Sequence, residues 1–334
     1  MQVKPVRRQY MEIRIITAAE IYESLSMKDA IEAMKNAFGA YSSGRSVVPL
    51  RSKIETRRGV TLLMPALLTD TEEFAVKLVS IYDDNPALGY PRISALVMVL
   101  DPATGRPVAL MDGESLTALR TGAAGGLAAE LLSRKNSKIL ALFGAGIQGR
   151  SQLRAAMAVR DLETVFVYDP HREACRKLLQ EAEKWQTAPE IRIAQSPGEA
   201  VRDADIVVTA TPSKAPVFDG KDLKPGVHVT AIGAFTAEMQ EIDEFTINKA
   251  RVFVDSREAC LAESGELIKA KPMIEAEIGE VVNGDKPGRK NELEITFFKS
   301  VGIATQDAAA ASAVLKKAIA SGLGKSINMN PSQK

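Results

Sequence analysis

Cysteine is scarce in this chain: Cys175 and Cys260 are the only two among 334 residues. They form no C-x-x-C pair, which excludes a disulfide framework and a thiolate zinc site. Histidine is equally rare, with His171 and His228 alone, so a histidine-rich metal site is excluded as well. No apolar run approaches the ~18 residues of a membrane span. Met1 to Tyr10 carries charge without an apolar core, so it reads as a flexible extension and not as a secretory signal. Excess charge of either sign is also missing, with 43 Lys+Arg against 42 Asp+Glu. That leaves no electrostatic case for nucleic acid or a membrane as partner. The expected setting is reducing and cytoplasmic, with no metal. What is present, 46% hydrophobic and 25% charged residues, is ordinary for a globular protein. The length suggests about two domains.

One stretch organises the rest. Ile139 to Phe143 is a short apolar run that reads as a strand buried on both faces. It ends in Gly144-x-Gly146-x-x-Gly149, and helix-like sequence follows from Arg150 to Val159. Strand, glycine turn and helix are the setting a dinucleotide fingerprint requires. Gly144 allows the tight turn, Gly146 lets a pyrophosphate approach the backbone, and Gly149 lets the helix pack close to the strand. The helix N-terminus then favours the phosphate charge. A second strand, Thr164 to Tyr168, ends at Asp169, about 20 positions on, where an acid can take the ribose 2′-OH. Ala204 to Pro212 is strand-like and includes Thr209, and Val227 to Gly233 ends in glycine. In a doubly wound sheet the ligand lies beyond such carboxyl ends.

The fold class is therefore α/β. A Rossmann dinucleotide-binding domain is expected over residues 122–302, behind an N-terminal α+β domain over 1–121. Residues 303–334, with a helix at Asp307–Ala320, return to the N-terminal domain, and the cleft between the domains is the default substrate site. In the N-terminal part Glu12 to Ile16 reads as a strand. Thr17-Ala18-Ala19-Glu20 and Ser26-Met27-Lys28-Asp29 fit capping boxes. Strands follow at Val47–Ile54, Gly59–Pro65, Phe74–Ser80 and Ser94–Asp101, mostly antiparallel. Ser115 to Leu132 is a long helix rich in small residues. Glu258 to Glu280 is expected to be helical, and the tail from Lys325 loose.

Three cations sit in apolar or turn contexts: Arg51, Lys77 and Arg120. A cation in an apolar strand is costly to bury unless paired. Lys77, in Phe74-Ala75-Val76-Lys77-Leu78-Val79, therefore has two readings, a site cation or a side chain on the solvated face of an edge strand. Arginine suits a carboxylate, and lysine suits a carbonyl or imine centre.

Thr117-Ala118-Leu119-Arg120-Thr121-Gly122-Ala123-Ala124, Phe143-Gly144-Ala145-Gly146-Ile147-Gln148-Gly149, the Leu63-Met64-Pro65 turn and Phe298-Lys299-Ser300-Val301-Gly302-Ile303-Ala304-x-Gln306-Asp307 resemble the ornithine cyclodeaminase/μ-crystallin family. The likeness runs from Glu12 to Ala320. It implies a homodimer built on the N-terminal β region. It also implies that Arg51 and Arg120 take an amino acid carboxylate and that Lys77 sits at the carboxylate or α-nitrogen. Met64 and Phe235 would flank the substrate. Thr121, Gly144, Gly146, Ile147, Gln148, Gly149, Asp169, Thr209, Gly233, Ser300 and Val301 would line the cofactor. His171 and Arg172 could accept a 2′-phosphate, which leaves NAD(H) and NADP(H) both open. Arg92 stands where the family often has threonine near the cofactor, and either adds a phosphate contact or faces water.

The departures from the family select among its activities. Phe235 and Leu62 occupy places where ornithine cyclodeaminases carry acids for the substrate amine. An apolar side chain can neither act as a base nor pair an ammonium. The resemblance thus implies an NAD(P)H-dependent reductase of cyclic ketimine acids, turning Δ1-pyrroline-2-carboxylate into L-proline or Δ1-piperideine-2-carboxylate into L-pipecolate. Alanine dehydrogenase, ornithine cyclodeaminase and a non-catalytic ligand-binding protein of the μ-crystallin kind are the alternatives.

Overall fold

A computed structural model describes residues 12–185 and 187–329, so the expected N-terminal extension lies outside the described residues. The chain forms β1 (Glu12–Ile16), α1 (Ala18–Ser24), α2 (Met27–Ser42), β2 (Ser46–Val47), β3 (Ser52–Glu55), β4 (Val60–Leu68), β5 (Glu73–Ile81), β6 (Ile93–Leu100), β7 (Pro107–Asp112) and α3 (Gly113–Leu132). It continues through β8 (Ile139–Phe143), α4 (Ile147–Val159), β9 (Thr164–Tyr168), α5 (Arg172–Ala182), β10 (Glu190–Ile193), α6 (Pro197–Val201), β11 (Ile206–Thr209) and β12 (His228–Ala231). Then come α7 (Glu244–Lys249), β13 (Arg251–Val254), α8 (Arg257–Glu263), α9 (Gly265–Ala270), β14 (Ile274–Glu277), α10 (Ile278–Val282), β15 (Thr296–Lys299), α11 (Ala304–Ala320) and β16 (Lys325–Asn328). Described residues 12–26, 46–117 and 307–329 make one unit, and 27–45 with 118–306 make the other.

The first unit is a mixed sheet in the order β16-β1-β7-β6-β5-β4-β2, with β3 on β4. Its long strands are antiparallel and β1 runs parallel to β7. The period of two divides each strand between two faces. One buried row is Met64, Lys77, Val97 and Met111. The helix α11 runs antiparallel to β5 on this face: Asp307 pairs with Lys77, and Lys316 with Glu73. The spacings agree, since nine helical residues and four strand residues both span about 13 Å. The Thr17 capping box forms as expected, with the Glu20 carboxylate accepting from Thr17 N at 2.8 Å and from its hydroxyl at 2.7 Å.

Three expectations are corrected in this unit. The tail from Lys325 is not loose, because β16 pairs with β1 from Glu12↔Asn328 to Ile15↔Lys325. Val47 to Ile54 is not one strand, since Val48–Arg51 separates β2 from β3. Leu63-Met64-Pro65 is not a turn but the middle of β4. Pro65 is tolerated there because β3 pairs with β4 at residues 60–63 and β2 at 67–68, leaving an open edge between them.

The second unit is an eight-stranded parallel sheet, β10-β9-β8-β11-β12-β15-β13-β14. Its central strands are buried nearly throughout, with β8 wholly apolar and β11 apolar up to Thr209, as double coverage favours. The strand order reverses between β8 and β11, the place where a doubly wound sheet binds its ligand. The small residues of α3 are explained here. A Cβ on Gly122 would lie 2.2 Å from Ser151 Oγ, and one on Gly126 would lie 2.9 Å from the Ala155 Cβ. So α3 approaches α4 at backbone distance, fastened by Ser151 Oγ to Ala118 O at 2.6 Å and by Gln152 Nε2 to Thr121 O at 2.7 Å. Glu258 to Glu280 is not one helical region: α8 and α9 are followed by β14, which extends the sheet beside β13. The edge position of β14 depends on pairing with β13, which its local pattern does not announce.

Candidate active site

The glycine loop has the geometry its spacing predicts. Gly144 has φ +92°, and a Cβ there would meet Ala210 O at 2.5 Å. A Cβ on Gly149 would lie 1.9 Å from Gly144 O. Gly146 differs, since nothing lies within 4 Å of its virtual Cβ. That open space faces outward at the N-cap of α4, where no side chain caps the first-turn N–H groups. An anion can therefore approach bare backbone at the positive end of a 13-residue helix. Ile147 is exposed, and the amide oxygen of Gln148 is buried without a hydrogen-bond donor.

At the end of β9, Asp169 Oδ2 accepts from Ala145 N at 3.0 Å and Oδ1 from His171 N at 2.8 Å. The acid thus ties the second strand to the glycine loop. Arg172 donates to Ala194 O and Gln195 O and lies 5.6 Å over the Tyr168 ring. Thr209, at the end of β11, is fully buried, and its hydroxyl has no partner among the described residues. These features fit a dinucleotide: a cradle of open backbone, a helix terminus, an acid at the second strand and an unsatisfied hydroxyl at the fourth.

Two buried carboxylates brace the loops at the strand ends. Glu241 accepts from Thr211, Gly233 and Ala234. Asp255 accepts from Ser300 Oγ at 2.7 Å, Val301 N at 3.0 Å and Gly302 N at 2.7 Å. Gly302 in turn makes room for Arg120: its φ is +84°, and a Cβ there would lie 2.9 Å from Arg120 Nη1. Arg120 is 6% exposed and donates to Gln306 Oε1 at 3.0 Å, an oxygen that also accepts from Ile303 N. Thr121, the next residue, is fixed against α4 through its carbonyl. Phe235 lies half-buried in the loop after β12.

In the first unit Lys77 is 3% exposed, which removes the reading on a solvated strand face. It lies on the covered face, and its Nζ is 3.1 Å from both oxygens of Asp307. Met64 is its neighbour on β4. Ser52 pairs with Leu63, so Arg51 leaves β3 at the level of Met64. Along the sheet, Arg51, Met64 and Lys77 thus stand at one level. Arg92 is exposed before β6, with Nε 2.7 Å from Asp83. Asp307, Gln306, Glu241 and Asp255 were not singled out by sequence reasoning. A signal existed for the first two, which close the Phe298–Asp307 motif. For Glu241 and Asp255 the sequence carries no spacing rule.

Comparison with known proteins follows the same lines. Residues 11–322 match the ornithine cyclodeaminase/mu-crystallin family profile. The Δ1-pyrroline-2-carboxylate reductase of Bacillus cereus is 37% identical over 324 residues, covering 94% of this chain and 99% of the relative. The solved Δ1-pyrroline-2-carboxylate reductase of Thermococcus litoralis, in complex with NADH and L-proline, is 39% identical. It superposes with a TM-score of 0.89 over 94% of this chain and 99% of its own. An archaeal alanine dehydrogenase dimer with bound NAD is 35% identical, with a TM-score of 0.88 over 96% and 100%.

Proposed function

The chain belongs to the ornithine cyclodeaminase/μ-crystallin family, and on that premise we propose that it reduces cyclic ketimine acids with a nicotinamide dinucleotide, Δ1-pyrroline-2-carboxylate to L-proline first among them. The observation that carries this reading is the pair of buried cations. Lys77 is held by Asp307 and Arg120 by Gln306, two consecutive residues of the chain. Buried cations fixed by acceptors present their charge without reorganising, which is what recognition of a small carboxylate needs.

Arg120 and Arg51 take the carboxylate, and the planar guanidinium sets the orientation of the imine ring. Phe235 and Met64 give the ring apolar walls. The dinucleotide, when its pyrophosphate is bound at Gly144–Gly149, supplies the hydride from its nicotinamide. Lys77 supports the developing amine, and its ammonium can deliver the proton that a neutral imine requires. Asp307 aims the lysine through its two 3.1 Å contacts. A protonated imine needs no general base, so Leu62 and Phe235 in place of acids are no obstacle. Most of the rate comes from positioning and a fixed field.

A homodimer belongs to the same proposal. On the uncovered face of the first sheet, Leu63, Leu78 and Leu96 form one row, and Pro65, Val76 and Met98 the next. Leu78 is 40% exposed, Leu96 46% and Met98 37%. An apolar sheet face of this kind marks an association surface, and the related alanine dehydrogenase is a dimer. A Leu78→Glu/Met98→Lys variant should run as a monomer in light scattering; an unchanged mass would remove this face from the interface.

The direct test is NAD(P)H oxidation with Δ1-pyrroline-2-carboxylate, beside pyruvate plus ammonia and beside ornithine with catalytic NAD. Turnover of the cyclic imine alone supports the reading. Turnover of pyruvate would reassign the chain to alanine dehydrogenation, and turnover of ornithine would show that the missing acids are dispensable. Cofactor binding without any turnover would point to a ligand-binding role.

A further inference from the structure

We infer that Glu241 is a positioning residue that sets the floor of the nicotinamide side by tying together the ends of β11 and β12. The inference rests on the dinucleotide reading of the second unit. Glu241 is fully buried. Its Oε1 accepts from Thr211 N at 2.7 Å and Thr211 Oγ1 at 2.8 Å, and its Oε2 from Gly233 N at 2.7 Å and Ala234 N at 3.0 Å. Thr211 follows β11 and Gly233 follows β12, the carboxyl ends beyond which a doubly wound sheet holds its ligand. One side chain therefore satisfies three backbone donors and one hydroxyl drawn from two loops.

The surroundings show how specific the clamp is. The segment carrying Glu241 is pinned to the loop after β11, with Gln240 N on Ser213 O at 2.9 Å and Val217 N on Glu241 O at 2.9 Å. Gly233 is confined as well, since a Cβ there would lie 2.2 Å from Thr211 O and 2.6 Å from Glu241 Oε1. Four donors converging on one carboxylate suit its ionised form. Burial pushes its carboxyl above the usual range, and Lys299 pulls the other way. Lys299 is itself fully buried, 2.7 Å from Glu266, and it immediately precedes Ser300. Both oxygens of the Glu241 carboxylate are satisfied, and a buried polar group with all its bonds made rigidifies the loops it joins.

Glu241→Gln is the decisive variant. It keeps the size but points an amide donor at N–H groups. Misplacing a reacting ring by about 1 Å costs on the order of 100-fold, so kcat should fall about 10- to 100-fold. The KM for the imino acid should stay within about threefold, because Arg51, Lys77 and Arg120 are untouched. The deuterium isotope effect on kcat with 4-deuterated NADH should rise as hydride transfer becomes limiting. Glu241→Asp should recover part of the loss. Thr211→Val removes one of the four donors, together with a long contact from Ser213 N, and should move kcat and the isotope effect in the same direction by a smaller amount, which keeps the test alive if Glu241→Gln fails to fold.

Loss of activity only in proportion to the unfolded fraction, or unchanged isotope effects in both variants, would overturn the inference. If the wild type binds NADH but reduces no imino acid, the substrate reading fails by itself. The emission maximum of bound NADH then decides the present inference. A shift toward the free cofactor in Glu241→Gln supports it, and an unchanged spectrum overturns it.

Discussion

Removing Asp307 should destabilise the protein more than any surface substitution, because Lys77 would lose the carboxylate against which it is buried. The Lys77 and Asp307 side chains are 4% and 2% exposed, with 3.1 Å between charged atoms. At an effective dielectric of about 20, two unit charges at that separation attract by about 5 kcal/mol. Desolvation of both ions offsets much of this, so the intact pair contributes little net stability. Breaking it is different, since an ammonium then stays in an apolar row between Met64 and Val97. Loss of one member of a buried pair typically costs about 3–5 kcal/mol. Asp307→Ala should therefore lower the urea midpoint by that equivalent, and the double variant Lys77→Met/Asp307→Leu should recover most of it. Both measurements are equilibrium unfolding curves at pH 7.5, followed by circular dichroism. The double variant should be folded and inactive toward the imino acid. An Asp307→Ala protein as stable as wild type would refute the electrostatic argument, and an active double variant would remove Lys77 from the site.

Three further outcomes follow from the geometry. Arg120→Ala should raise the imino acid KM and lower turnover by orders of magnitude, and Arg120→Lys should rescue little because the planar fork is lost; near-wild-type steady-state kinetics would contradict this. Gly302→Ala places a Cβ at positive φ and 2.9 Å from Arg120 Nη1. It should cost about 1 kcal/mol in stability but a much larger factor in kcat/KM, so equal losses in the two measurements would argue against the Arg120 seat. His228 is fully buried between the hydroxyls of Thr296 and Thr230, each 2.9 Å away. Burial first, then the Arg289 and Arg160 charges, depresses its pKa to about 3. The folded-state value lies below the unfolded one, so this contribution is present above pH 6.5 and is lost as pH falls towards 3. The acid limb should cost up to roughly 5 kcal/mol. Urea midpoints taken from pH 7.5 to 4.5 should fall for wild type and flatten in His228→Asn.

Much of the molecule is legible in its sequence. Glycine spacing after an apolar run is a local code, because turn, helix start and close packing are all set within a dozen residues. Gly144, Gly146 and Gly149 accordingly occupy three different steric environments. The Thr17–Glu20 cap is equally local. Lys77 could be flagged as anomalous from its apolar flanks, yet period two assigns it to a face without saying which face is covered. That depended on α11, whose Asp307 lies 230 residues away in the chain. The expected loose tail failed for the same reason: Lys325–Asn328 has little pattern of its own and becomes a strand only because β1 offers an edge. The β14 strand likewise exists through its pairing with β13. The bracing carboxylates are the extreme case. Glu241 and Asp255 look like any acids in the sequence, and their meaning lies in backbone donors converging from loops that folding alone brings together. Local chemistry is written in short spacings, whereas burial, ion pairing and hydrogen-bond satisfaction are properties of segments that meet only in three dimensions.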